Sequence, residues 1–238
     1  MTKVKAGRPN RLRKAVHLGL KLLTRFAKLR SMKRPSSSWD EMIHYLSLHH
    51  ELLKPQQVHS EIRSALEEIE RIRPRQVLEV GLGTGGTFFL LSRAVAPEAV
   101  LISLNFPEPR LRQKLREFTL SSAAPPNQRL HFIRGDSHEE SSLREVKRTV
   151  SNQQLDVLFL DGDHTYDGIK KDFVMYAPLV GSGGLVFFHD ILAHDSESDP
   201  HGQCQVDRFW HEVKTQYRHR EFVEDPARGW AGIGMLYM

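Results

Sequence analysis

"VLEVGLGTGGTFFL", residues 77–90, is the stretch on which the fold turns. Val77-Leu78-Glu79-Val80 reads as a buried strand, the glycines as a turn, and Thr87-Phe88-Phe89-Leu90 as the opening of a helix. Gly81, Gly83 and Gly86 satisfy the spacing G-x-G-x-x-G, a weak signature until a strand precedes it and a helix follows. Both conditions are met. A turn free of side chains lets a ligand come close to the backbone, and unpaired N–H groups at a helix start favour polar or anionic groups. The stretch therefore predicts a nucleotide-like cofactor beyond the end of a first strand.

Working outward, short β-rich runs alternate with longer helical patterns. Strands are expected at 76–80, 99–104, 130–133, 155–160 and 184–188, with helices at 87–95, 110–120, 139–150 and 166–176 between them. Such alternation predicts parallel βαβ units. Helices at 39–53 and 56–72 precede the series, and a helix at 206–217 follows it. Two last runs, 221–224 and 231–237, are suited to an antiparallel ribbon at the sheet edge. The expected fold is an α/β, Rossmann-like, doubly wound and mostly parallel seven-stranded sheet, with helices on both faces.

The chain has 238 residues, enough for one substantial α/β domain. Cys204 is the only cysteine, which excludes an intrachain disulfide scaffold and suits a reducing compartment. No apolar run reaches the ~18 residues of a membrane-spanning helix, and a cytoplasmic location is expected. The net charge of +5 is divided unevenly: twelve Lys and Arg and no acid stand before Asp40, leaving 22 basic against 29 acidic side chains, a net of −7. The body is acidic, which argues against nucleic acid as its partner.

Residues 1–38 read as a basic arm, with 1–11 polar, 12–29 an amphipathic helix and 34–38 a linker; residues 39–238 read as the globular domain. A basic amphipathic helix suits an anionic membrane surface or a protein partner. It equally suits packing on its own domain or on a second copy in a homo-oligomer.

For a nicotinamide cofactor an acid is expected about 20 residues beyond the glycines. Asn105 stands there instead. Together with Glu79, and with the acid in "IRGDS" (133–137), this pattern resembles the class I S-adenosylmethionine-dependent methyltransferases. The resemblance implies that Glu79, Gly81, Gly83 and Gly85 surround the methionine part of the cofactor, Asn105 its ribose, and Asp136 with Ser137 its adenine edge.

Ligands of open parallel sheets bind beyond the carboxyl ends of the strands. There "LDVLFL" runs into "DGDHTYDGIKKDF", giving Asp161, Asp163, His164 and Asp167, while "GGLVFF" ends in His189-Asp190. Charges at buried strand ends need partners, and a metal is one such partner. Carboxylates suit magnesium, manganese or calcium; mixed His and Asp ligation suits a transition metal. The constellation resembles the metal-dependent O-methyltransferases and, more narrowly, the methyltransferase domain 24 group with its cephalosporin-biosynthesis branch. That likeness implies Asp161, His189 and Asp190 as ligands of a divalent ion, magnesium foremost, and His164 as the general base. The implied reaction is methylation of a hydroxyl on a small acceptor, a sugar or a secondary metabolite. A nicotinamide-dependent oxidoreductase and a non-catalytic scaffold carried by its arm are the alternatives.

Duller roles are open to several residues. Asp163 or Asp167 suits a helix cap, and His189 a local hydrogen bond. Cys204 has no evident activating neighbour, and "VDRFWHEV" (206–213) suits core packing. The long connection 191–205 is suited to a lid, with His194, Asp195 and His201 near the acceptor.

Overall fold

The computed structural model describes residues 24–151 and 153–238. Helix α1 occupies residues 24–31, followed by α2 (Trp39–His49) and α3 (His59–Ile72). The alternating series then runs β1 (Gln76–Val80), α4 (Gly86–Ala94), β2 (Val100–Asn105), α5 (Arg110–Ala123), β3 (Arg129–Arg134), α6 (Glu140–Val150), β4 (Leu155–Leu160), α7 (Tyr166–Tyr176) and β5 (Val180–His189). It closes with α8 (Val206–Val213), β6 (His219–Phe222) and β7 (Ile233–Tyr237). The strands form one seven-stranded sheet in the order β3-β2-β1-β4-β5-β7-β6. The first five strands pair in parallel, and β7 runs antiparallel between β5 and β6.

Alternation along the strands builds two cores. Val77, Leu101, Val157, Phe159 and Phe187 face α1 to α5, whereas Leu78, Ile102, Leu158, Leu160 and Phe188 face α6 to α8. Central strands buried on both faces need near-continuous apolar runs, which "LDVLFL" supplies. One polar exception stands in β1: Glu79 occupies the first face, in register with Ser103 and Phe159. The expected packing role of α8 holds, with Val206, Phe209, Trp210 and Val213 all buried.

Residues 1–23, including most of the expected amphipathic helix, lie outside the described residues. The stretch 34–38 is a turn between α1 and α2. It is anchored at Arg34, which places its guanidinium against both carboxylate oxygens of Glu70 at 2.9 and 3.0 Å, and Leu29 and Met32 before it are fully buried. No helix among the described residues is long and apolar enough to cross a membrane.

Candidate active site

β1 and β4 come so close at their ends that the chain must be bare there. The Gly81 backbone has φ +92°, and a Cβ on it would stand 2.0 Å from the Asp161 carbonyl oxygen. The turn after it is clamped by side chains from β2 and α5 and by its own Thr84. Leu82 N–H donates to Asn105 Oδ1 at 3.1 Å, Arg116 of α5 donates to the Gly83 carbonyl at 2.6 Å, and the Thr84 hydroxyl donates to the Lys54 carbonyl. Gly85 sits against the Arg116 stem and Leu120, and Gly86 against the backbone of 53–55. Of the cofactor-motif glycines, Gly81 and Gly83 reach the cavity described next, while Gly85 serves the packing of α4 on α5.

A cavity of 540 Å³ opens beyond the ends of β1, β2, β3 and β4. Gly81, Gly83, Asn105, Phe106, Asp136 and Ser137 line it together with Asp161 and His164. Asp136 Oδ1 accepts from His138 N–H at 2.8 Å, and the Ser137 carbonyl accepts from the Tyr176 hydroxyl at 2.7 Å, which fixes the loop after β3. Asn105 is already engaged by the glycine turn and by Glu108, whose carboxylate also meets Arg116. Glu79 does not reach the cavity. It lies beneath the turn, 1% exposed; burial pushes its carboxyl well above the usual range, Asp161 pushes the same way and Arg116 opposes.

At the ends of β4 and β5 two carboxylates and three imidazoles converge. His189 Nδ1 lies 3.0 Å from Asp161 Oδ1 and 3.4 Å from Asp190 Oδ2. His164 spans the same two acids, with Nε2 at 3.4 Å from Asp161 and Nδ1 at 3.2 Å from Asp190. His194 adds Nε2 at 3.3 Å from Asp190 Oδ1. The ligating atoms of Asp161, His189 and Asp190 all lie within 4.8 Å of one another, and His189 Nε2 is buried without a hydrogen-bond partner. Asp190 has φ +62°, a left-handed conformation that Asp tolerates better than most residues and that turns the chain at the strand end.

The electrostatics follow from crowding. Burial pushes the His164 imidazole down, but its contacts with Asp161, Cys204 and Asp190 outweigh this and hold it up at about 11. His189 is likewise depressed by burial and raised further by the two acids, to about 10. Burial acts to raise Asp161 and Asp190, yet the imidazoles hold both below the ordinary carboxylate range. Without any other positive charge, the acids are neutralised by imidazolium.

Several residues here escape a reading of the sequence. Gln57, just before α3 and 5% exposed, donates Nε2 to Asp161 Oδ2 at 2.9 Å and accepts from the Thr87 hydroxyl at 2.7 Å. Asp172 of α7 is fully buried behind the loop after β4, with His138 Nε2 at 3.3 Å from its Oδ1 but directed at the Gly168 carbonyl at 3.1 Å. The expectation that Cys204 lacks a neighbour is corrected: the connection 191–205 folds back, and its sulfur joins His164 and Asp190 in one cluster. Asp163 does act at the helix start, accepting from the backbone and hydroxyl of Thr165, which itself caps α7. Of the loop residues considered, His194 joins the cluster, whereas Asp195 accepts from Glu197 and Ser198 in its own turn.

Residues 78–191, from β1 through the His189-Asp190 pair, match the family model described as "Methyltransferase domain". This segment belongs to that family. The methyltransferase domain has the sheet of the class I enzymes, and solved structures agree over most of the chain. An O-methyltransferase from Bacillus cereus in complex with SAH aligns with a TM-score of 0.63 at 14% identity, covering 90% of this chain and 97% of that one. TomG from Streptomyces achromogenes, an O-methyltransferase of tomaymycin synthesis in complex with SAM, gives 0.56 at 17% identity, over 87% and 93%. MycE of the mycinamycin biosynthetic pathway, in complex with Mg, SAH and mycinamycin VI, gives 0.55 at 17% identity, over 84% and 54%. At these identities the likeness is one of fold. A curated relative, the uncharacterized protein y4gI of Sinorhizobium fredii, is 24% identical over 173 residues, 71% of this chain; the match spans only 18% of that protein's length.

Proposed function

We propose that the chain transfers a methyl group from S-adenosylmethionine to a hydroxyl of a small acceptor such as a sugar or a secondary metabolite. One observation carries the reading: Gly81, Gly83, Asp136 and Ser137 line the same cavity as Asp161 and His164. The first group suits a donor with an adenosine and an amino-acid end; the second suits proton removal from an acceptor. S-adenosylmethionine would supply an electrophilic sulfonium methyl. In this reading the Gly81 and Gly83 backbone holds the methionine side, with Glu79 acting from beneath the turn and Gly85 through packing. Asn105 fixes the turn beside the ribose, and Asp136 with Ser137 meets the adenine edge.

Asp161, His189 and Asp190 fit a divalent cation, because their donor atoms are mutually close and combine carboxylate oxygen with imidazole nitrogen. Such an ion would supply a positive charge that lowers the pKa of a hydroxyl beside it. His164 is the base of this proposal. Pinned between two carboxylates it carries a proton and has no free lone pair, so it serves as base once the charge of Asp161 and Asp190 is balanced from elsewhere. Gln57 occupies Asp161 Oδ2 and leaves Oδ1 facing the imidazoles. Alignment of the reacting groups supplies much of the acceleration.

The test is equilibrium dialysis of the full chain with S-adenosylmethionine and with magnesium or manganese, followed by transfer of labelled methyl to a panel of hydroxylated acceptors. Retention of the donor and chelator-sensitive transfer are expected. Retention of a nicotinamide cofactor in its place, or of neither donor nor ion, defeats the proposal.

A further inference from the structure

The outer face of α5 is apolar and has almost no cover. Leu111, Leu115 and Phe118 recur at steps of four and three, so they stand in one row along the helix, opposite buried Gln113, Arg116 and Leu120. They are 74%, 48% and 63% exposed, and Phe106, in the segment leading into α5, is 68% exposed and lines the cofactor cavity. A single exposed Leu is ordinary, whereas a contiguous row marks a contact surface.

The flanks of the row are cationic. Arg110, Arg112 and Lys114 are exposed and form no ion pair among the described residues. Glu117, the acid of this helix, is paired with Arg134. At one end of the row Phe26 of α1 packs edge-on against Phe118, with ring centroids 6.2 Å apart.

We infer that this face of α5 docks the protein on an anionic lipid bilayer. Leu111, Leu115 and Phe118 enter the interfacial layer, while Arg110, Arg112 and Lys114 reach the headgroup phosphates, the division of labour that amphipathic surfaces use at membranes. A nucleic-acid backbone would pair with the cations but leave the Leu and Phe row in water. A second copy of the face, or residues 12–23 of the arm, would set cation against cation. Because Phe106 also lines the cavity, docking sets the cavity mouth beside the lipid surface. The inference rests on α5 and is independent of the catalytic reading.

The full-length chain should co-sediment with phosphatidylcholine vesicles containing phosphatidylserine about tenfold or more tightly than with phosphatidylcholine alone, and added salt should weaken it. A Leu111→Ser/Phe118→Ser variant should lose about tenfold or more of this binding with an unchanged circular dichroism spectrum. An Arg112→Gln/Lys114→Gln variant should weaken binding and flatten its salt dependence. Equal affinity for both vesicles, no sedimentation, or indifference to both double variants overturns the inference. So does retention of an oligonucleotide in place of vesicles, or a concentration-dependent dimer that Leu111→Ser/Phe118→Ser dissolves.

Discussion

The Gln57 amide donates to Asp161 Oδ2 across 2.9 Å, tying the entry to α3 to the end of β4. The amide is oriented unambiguously, because its oxygen accepts from the Thr87 hydroxyl at the start of α4. Helix α4 and the acid cluster thus share one side chain. Gln57→Ala removes a buried bond to a charged group, a loss of about 1.5–3 kcal/mol. Turnover should fall by tenfold or more on that basis, with donor affinity changed only a few-fold in calorimetry. A matching collapse of donor affinity would show that Gln57 supports the turn rather than Asp161.

His164→Ala removes the proposed base without touching the glycine turn. General bases contribute about 10²–10⁴-fold, so single-turnover transfer should slow by that range while S-adenosylmethionine binding persists. Parallel loss of both would assign His164 a structural role.

Asp161→Asn and Asp190→Asn each withdraw one carboxylate while keeping the side chain's shape. Asn also tolerates the left-handed backbone of residue 190, so charge is tested apart from strain. Either variant should lose the response of transfer to added divalent ion and to chelator. A wild-type chain indifferent to chelator would remove the ion from the proposal.

Gly81→Ala places a Cβ 2.0 Å from a carbonyl oxygen at φ +92°. Overpacking and left-handed strain together cost roughly 2–4 kcal/mol, to be read as a lower denaturation midpoint in urea. Gly202→Ala, at φ +60° with nothing near its Cβ, should show the smaller strain cost alone.

Burial pushes the Asp172 carboxyl up to about 6 from an ordinary value of 3.8. Between these values the folded chain binds a proton that the unfolded chain has released, so stability rises as pH falls through 6 toward 4. Asp172→Asn should abolish that rise and stabilise the protein at pH 8 by about 3 kcal/mol, measured by denaturation at both pH values. An unchanged pH dependence would show that His138 fully compensates the charge.

The sheet was legible because its strands advertise themselves: β1, β4 and α7 have the bounds expected from apolar runs and helical spacing. The rim acids and imidazoles were legible for a related reason, since charge at the end of an apolar strand has to be answered by something. Gln57, Arg116 and Asp172 were not. Arg116 and Asp172 lie in helices and Gln57 in the loop before α3; the partner of each lies on another element, and nothing local distinguishes it from a solvated position. Cys204 was misread on the same account, because its neighbours arrive through the folding of a loop.

Arg116 gives α5 a hand on the glycine hairpin. Its outer surface meets whatever lies outside the protein, while its guanidinium grips the Gly83 carbonyl within. Whatever presses on that helix is therefore one side chain away from the proposed donor cradle.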